Sequence, residues 1–238
     1  MIDQGKKDMR QERKATFLKG LFWTLILTLF LISFSVVFTL YMEPLYWADI
    51  RLMGLEKASG RSAEVIRKNY HTMVSYMYLW NRTPVLSLPD FAMSQGGKIH
   101  FADCKRIFDA VQLICAVSGL LTILSAVVHR HSLRYRYLRA AGTLTILIPA
   151  LLGGLAYMNW NKVFLTFHKI LFRNNYWIFD PDSDPVILIL PDTFFLQCVI
   201  VIAVVLVIGA AILFGKAHRR SRKLRDRIAR SRARGRRR

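Results

Sequence analysis

The sequence predicts an all-α polytopic membrane protein. Four transmembrane helices are expected, with extracellular interfacial helices and short extended segments capping the outer face. Three observations predict this class. First, four uncharged apolar runs, Gly20–Met42, Ala110–Val128, Ala140–Asn161 and Thr193–Gly215, punctuate a 238-residue chain that is 53% hydrophobic. Each is close to the roughly 20 residues that cross a hydrocarbon core of about 30 Å as a helix. Backbone N–H and C=O groups cannot go unpaired in lipid, so runs of this length cross it as helices. Second, the net charge of +20 lies between the runs rather than in them. Third, Lys/Arg-rich segments alternate with two longer segments that are nearly charge-balanced.

In chain order, the tail 1–19 holds six basic residues and reads as cytoplasmic. Residues 20–42 are the first transmembrane helix. They exceed a signal-peptide core, and "YMEPLYW" follows where a cleavage site would need small residues, so the run is expected to stay attached. Tyr46 and Trp47 there are expected to be interfacial anchors. The extracellular segment 43–105 is too long for a simple connector. Within it "SAEVIRKNYHTMVSYMYLW" (62–80) offers Ser62 as an N-cap and apolar residues at helical spacing. "PVLSLPDFAMSQGG" then breaks helix at Pro84, Pro89 and the pair Gly96-Gly97, before "KIHFADCKRIFDAVQ" slides into the second transmembrane helix, 106–128.

The loop 129–139 carries four basic residues, and the third transmembrane helix spans 140–160. Segment 161–192 opens with the helical pattern "NKVFLTFHKILF". It closes with the acidic turn "DPDSDP" and with "VILILP", which reads as a short strand or an interfacial run. The fourth transmembrane helix, 193–215, leads to a tail, 216–238, of thirteen basic residues against the single acid Asp226. An even number of crossings puts the three basic segments on one side, and the positive-inside rule makes it the cytoplasm for both termini. The tail is read as a topology anchor, partly helical or disordered, that contacts anionic membrane lipids at about 1 kcal/mol per basic residue. Nucleic acid is not expected as a partner, because the tail abuts a membrane helix and lacks stacking aromatics.

Several chemistries are excluded by what the sequence lacks. Cys115 and Cys198 lie inside apolar runs and Cys104 is alone on the outer side, so neither a disulfide framework nor a zinc-thiolate site is expected. There is no GxSxG elbow and no phosphate-binding glycine loop. Asp180, Asp182 and Asp184 sit at positions 1, 3 and 5 of a would-be calcium loop. Pro185 and Pro191 then fall where that loop needs Gly and Glu. Apart from Asp109 and Gln112 near the end of the second helix, the membrane runs lack the intramembrane charges that mark ion pathways.

The histidines sort by side. His129, His131 and His218 accompany arginine in the cytoplasmic segments, whereas His71, His100 and His168 lie on the outer side. His100 precedes the second apolar run by ten residues and His168 follows the third by seven. At about 1.5 Å per helical residue, both fall within roughly 10–15 Å of the hydrocarbon edge, the depth of lipid ester linkages. Histidine is the natural general base near neutral pH; the plainer alternative is an interfacial residue with its hydrogen bonds satisfied. Asp103 shares a helical face with His100 and is expected to orient its ring. Lys169, Arg173, Asn174 and Asn175 offer donors for a headgroup phosphate or a developing oxyanion, or in the case of Lys169 and Arg173 simple snorkelling. His100, Asp103 and His168 could in principle ligate a metal, but no His-Glu-x-x-His pairing supports it, so no metal or cofactor is expected.

The segments "NYHTMVSYM", "HFADCKRIF" and "FHKILFRNNYWIFDPDSDPVILILPDTFF" resemble the lipoprotein intramolecular transacylase (Lit) family, four-helix membrane proteins of low-GC Gram-positive bacteria. Cys104 stands where the family pattern has a small aliphatic residue, and the Arg-rich tail is not a family hallmark. The resemblance implies a diacylglyceryl lipoprotein as substrate. It implies transfer of the sn-2 acyl chain to the α-amine of the N-terminal cysteine, giving the lyso form without a carrier, nucleotide or metal. It casts His100, His168 and Asp103 as catalytic. Lys169, Arg173, Asn174 and Asn175, with Trp177, Tyr70 and His71 of the shared segments, become candidates for substrate contact. A non-enzymatic lipid-binding or accessory protein and a lipid-ester hydrolase are the competing functions.

Overall fold

A computed structural model describes the backbone of residues 2–128 and 135–235, and the side chains of 11–127 and 136–233. His129 and His131 lie outside the described residues. Among the described residues eight α-helices follow in order: α1 (Ile2–Leu40), α2 (Glu43–Leu52), α3 (Leu55–Ser59), α4 (Ala63–Tyr76), α5 (Gln95–Val128), α6 (Tyr135–Met158), α7 (Trp160–Leu171) and α8 (Asp192–Gly235). Four of them, α1, α5, α6 and α8, are long and apolar enough to cross a membrane. There is no strand among the described residues. "VILILP" forms a 3-10 turn over Pro185–Ile189 with Val186 and Ile189 buried, so it packs as core rather than as an extended edge.

Local chemistry sets the boundaries. Ser62 caps α4 by accepting from the Val65 amide at 3.4 Å. Asn159 caps α7 in the same way, its side chain accepting from Lys162 N at 2.8 Å, so α6 ends at Met158 and α7 begins at Trp160. The long α5 starts at Gln95, which places His100 on the same helix as the second apolar run. The basic C-terminal segment is helical as far as Gly235, as an unbroken continuation of the fourth apolar run. Helices α2 and α3 have no strong periodicity to announce them. They are delimited by Pro44 in the first turn of α2 and by Gly54 and Gly60, whose positive φ (64° and 66°) suits residues without a Cβ.

The chain forms two compact units, described separately. One comprises residues 1–32, 116–149 and 205–238. Its core is a small set of tightly seated residues, Leu138, Ala141, Leu213 and Ala217, with Leu27 and Leu31 against them. The Tyr137 hydroxyl donates to the Thr16 carbonyl at 3.2 Å. Hydroxyls within the helices satisfy themselves on the preceding turn, as Thr24 does on Gly20 and Thr145 on Ala141.

The other unit, residues 33–115 and 150–204, contains the larger core and all the outer-side candidates. Tyr46, expected at the lipid interface, is instead fully buried: its ring stacks on Tyr70 with centroids 3.6 Å apart. The Tyr46 hydroxyl donates to the Ile189 carbonyl at 2.7 Å, so a polar tip that would have sought water finds its partner inside. Trp47, one residue on, stays 43% exposed. Gln112 is likewise satisfied, donating to the Met77 and Phe108 carbonyls and accepting from the Tyr41 hydroxyl and Leu79 N. Tyr46→Phe should leave the Ile189 carbonyl buried without a donor. The expected loss is about 1–3 kcal/mol, read as a lower thermal unfolding midpoint in detergent.

Candidate active site

The site is assembled by a brace at the start of α5. Ser94 caps the helix, its hydroxyl oxygen accepting from Gly97 N at 2.9 Å. Ser94 N in turn donates at 2.8 Å to Oδ1 of Asp184, a carboxylate only 3% exposed. The Ser183 hydroxyl donates to Asp184 Oδ2 at 3.0 Å. A carboxylate beside a helix N-terminus is also electrostatically favoured. Gly97 is required by this approach, because a Cβ there would collide with Asp184 Oδ1. The "DPDSDP" turn is therefore a structural staple that fixes the segment 172–184 against the helix carrying His100.

His168 projects from α7 on the inward face it shares with Trp160, Val163 and Phe164. Its Nδ1 lies 2.8 Å from the Phe164 carbonyl oxygen. A carbonyl can only accept, so in the neutral ring Nδ1 carries the hydrogen and Nε2 keeps its lone pair. The ring contacts Phe164, 4.3 Å away, and Trp177, stacked at 4.8 Å with an interplanar angle of 29°. Burial among these rings holds the His168 imidazole below its ordinary pKa, with the hydrogen bond to Phe164 pulling partly the other way.

His100 lies across from it, ring centroid to ring centroid 6.2 Å. It is 8% exposed, edge-on to Phe172 at 4.7 Å and to Phe179 at 5.4 Å. Its Nε2 is 3.5 Å from Cys104 Sγ, one helical turn on, while its Nδ1 is buried without a hydrogen-bond partner. Two imidazoles thus face each other in an aromatic enclosure, one with an available lone pair and one with an unsatisfied ring nitrogen. That pairing can accept a proton and return one within a single small volume.

Asp103 makes no hydrogen bond to either imidazole. Arg106 donates to its Oδ1 at 2.7 Å and Asn174 to its Oδ2 at 3.0 Å. A charge-assisted bond from Arg106, on the same helix face, takes the oxygen that was expected to orient His100. Asn174 is accordingly engaged: its side-chain oxygen accepts from Tyr176 N at 3.1 Å and its carbonyl from Trp177 Nε1 at 2.9 Å. Lys169, Arg173 and Asn175 are exposed around the site. Tyr70 is in the core against Tyr46, and the His71 ring is occupied at both nitrogens, by the Glu43 carboxylate at 3.0 Å and Ser75 Oγ at 3.2 Å. Neither shares a ring contact or hydrogen bond with His100 or His168, so the structure separates them from the imidazole pair. Phe164, Phe172 and Phe179 frame the site without having been singled out from sequence; aromatic density around His168 was the available signal. Among the described residues no three His, Cys, Asp or Glu side chains group in a way that could hold a metal ion.

The fold and this site define a class: an all-helical polytopic membrane protein with two facing histidines, one buried and one half-buried. Comparison with known proteins specifies it further. A model of the lipoprotein intramolecular transacylase Lit family matches residues 21–195. The solved structure of the membrane-integral lipoprotein intramolecular transacylase Lit from Bacillus cereus superimposes with a TM-score of 0.84 at 26% identity, covering 87% of this chain and 96% of that one. A form of the same enzyme with one histidine replaced by arginine gives a TM-score of 0.82 at 25% identity, over 93% and 98% of the two chains. A form with that histidine replaced by alanine gives 0.81 at 25% identity, over 92% and 99%. A search of curated proteins found no match. The chain belongs to the lipoprotein intramolecular transacylase (Lit) family, and is an acyltransferase.

Proposed function

We propose that the protein moves the sn-2 acyl chain of a diacylglyceryl lipoprotein onto the α-amine of its N-terminal cysteine, with His168 as the proton acceptor. The observation that carries this is the Nδ1–H bond of His168 to the Phe164 carbonyl, which leaves Nε2 free to act as a base. The amine nitrogen attacks the ester carbonyl carbon while His168 Nε2 takes the amine proton. The tetrahedral intermediate then collapses, the C–O bond to the glyceryl oxygen breaks, and that oxygen takes the proton back from the His168 imidazolium, which restores the neutral ring. The unpartnered Nδ1 of His100, opposite, is suited to donate to the oxyanion or to the departing oxygen. An amide and a free hydroxyl result, with no carrier, nucleotide or metal in the balance. That two solved forms of the Bacillus cereus enzyme carry a replaced histidine is consistent with histidine chemistry in the family.

Membrane placement follows the same reading. The substrate's lipid anchor lies in the outer leaflet, and the outward arc of α7 exposes Phe167 (54%) and Ile170 (76%), apolar surface suited to lipid. Both termini lie in the cytoplasm, where the basic helical tail meets anionic lipid headgroups. Exposed Lys169 and Arg173 are placed to meet phosphate or peptide carbonyls of the substrate.

The pH dependence is specific. His168 must be neutral to accept a proton, and burial lowers its pKa, so its limb of the rate profile should lie below about 6.5. Activity should fall as pH drops through that limb, and the substrate amine should contribute a second limb near its own pKa of about 8. A rate profile measured on purified protein with a synthetic diacyl lipopeptide tests this. A rate unchanged down to well below both values would exclude a histidine base.

A further inference from the structure

Asp103, Asn174 and Trp177 form a connected chain that ends on the His168 ring, although none of them touches both imidazoles. Asp103 takes a hydrogen bond from Asn174 Nδ2 at 3.0 Å, and is itself held from the other side by Arg106 at 2.7 Å. The Asn174 carbonyl accepts from Trp177 Nε1 at 2.9 Å. The Trp177 indole stacks on His168, 4.8 Å between centroids at an interplanar angle of 29°, and is only 9% exposed. His168 also meets Phe164, whose ring centroid is 4.3 Å away at a tilt of 51°. An imidazole has one free torsion that matters here, rotation about Cβ–Cγ. The Nδ1–H bond fixes one edge of the ring, and the stacked indole fixes its plane.

We infer that Asp103 and Asn174 are positioning residues that act through Trp177. They hold the indole so that it both orients His168 and stabilises the imidazolium formed when His168 takes the amine proton. This rests on the reading of His168 as the base. A cation over the face of a Trp ring within about 6 Å is attracted by the ring quadrupole, most strongly where water is excluded. The indole therefore favours the state in which His168 carries the proton, which is the state reached during transfer and not the resting one. The titratable group in ring contact with His168 is His100, on α5, and no carboxylate bonds to it directly. Asp103 thus exerts its effect by geometry. It differs from an ordinary catalytic carboxylate in spending its oxygens on Arg106 and Asn174 rather than on the base it serves.

The test uses the full-length protein in detergent with a diacyl lipopeptide, and two readouts. An imidazolium quenches the emission of an indole stacked on it, so tryptophan fluorescence should carry a component that titrates with His168. Trp177→Phe identifies this component by removing it. Asn174→Ala and Asp103→Ala are each expected to lower kcat roughly tenfold, about the worth of one desolvated cation–π contact, with little change in KM. They should also reduce or shift the titrating emission. The double variant should be no slower than the weaker of its parents by more than about twofold, because one chain is being broken twice. If Asn174→Ala does not fold, Asp103→Asn, which keeps the shape but can accept from only one partner, should show a smaller loss in the same direction. Wild-type kcat and wild-type emission titration in both alanine variants, with His168→Ala inactive, would overturn the proposal while leaving His168 as the base. An active His168→Ala would instead overturn the reading on which it rests.

Discussion

Replacing His168 with alanine is expected to slow acyl transfer by about a hundred- to ten-thousandfold, the range a positioned general base contributes. The argument is local. The ring is pinned at Nδ1 by the Phe164 carbonyl and contacted by Phe164 and Trp177, so Nε2 is both free and aimed. His168→Gln is the sharper variant, since a carboxamide can still donate to Phe164 but cannot accept a proton near neutral pH. Both should be equally slow when the lyso product is quantified by mass spectrometry. A glutamine variant near wild-type rate would mean that the side chain positions the substrate rather than moving a proton.

Gly97→Ala is expected to damage the protein through a different route. The Cβ would be driven into Asp184 Oδ1, a buried carboxylate that has no room to withdraw without releasing Ser94 N. Overpacking of this kind costs about 1–3 kcal/mol, and a broken bond to a buried carboxylate adds to it. The start of α5 and the 172–184 segment would separate, and with them His100 from Phe172 and Phe179. Lower thermal stability should therefore be accompanied by lost activity. Asp184→Asn, which preserves shape and one acceptor, should be milder on both counts. A Gly97→Ala protein as stable and as active as wild type would show that this brace does not hold the site.

The apolar crossings were legible because lipid leaves the backbone a single option, and length plus absence of charge is enough to see it. Ser62 was legible as a cap because capping is chemistry within four residues. The convergence of His100 and His168 was legible from their spacing to the apolar runs, which the membrane converts into depth. What escaped was tertiary. Asp103 was paired with His100 by helical spacing, yet Arg106 and Asn174 claim its oxygens, and Asn174 lies 71 residues away. Tyr46 looked like an interfacial anchor until Ile189, 143 residues on, supplied a partner for its hydroxyl. The "DPDSDP" turn advertised cations by composition, whereas its last acid braces the capping serine of a helix from a distant part of the chain. Gly96-Gly97 read as a break in helix and proved to be the place where that acid approaches.

The central claim is that an acyl chain moves within one lipoprotein molecule under the action of the His100–His168 pair. It is tested most directly in a host whose lipoproteins are all of the diacyl form, by fragmenting the N-terminal lipopeptide after expression of this protein and of its His168→Ala variant. The expected wild-type spectrum shows an unchanged total mass with one acyl chain relocated from glyceryl oxygen to the α-amine, and the variant shows the original arrangement. A wild-type lipopeptide that keeps both acyl chains on glycerol, or that loses one as free fatty acid, would contradict it, as would relocation that proceeds without His168.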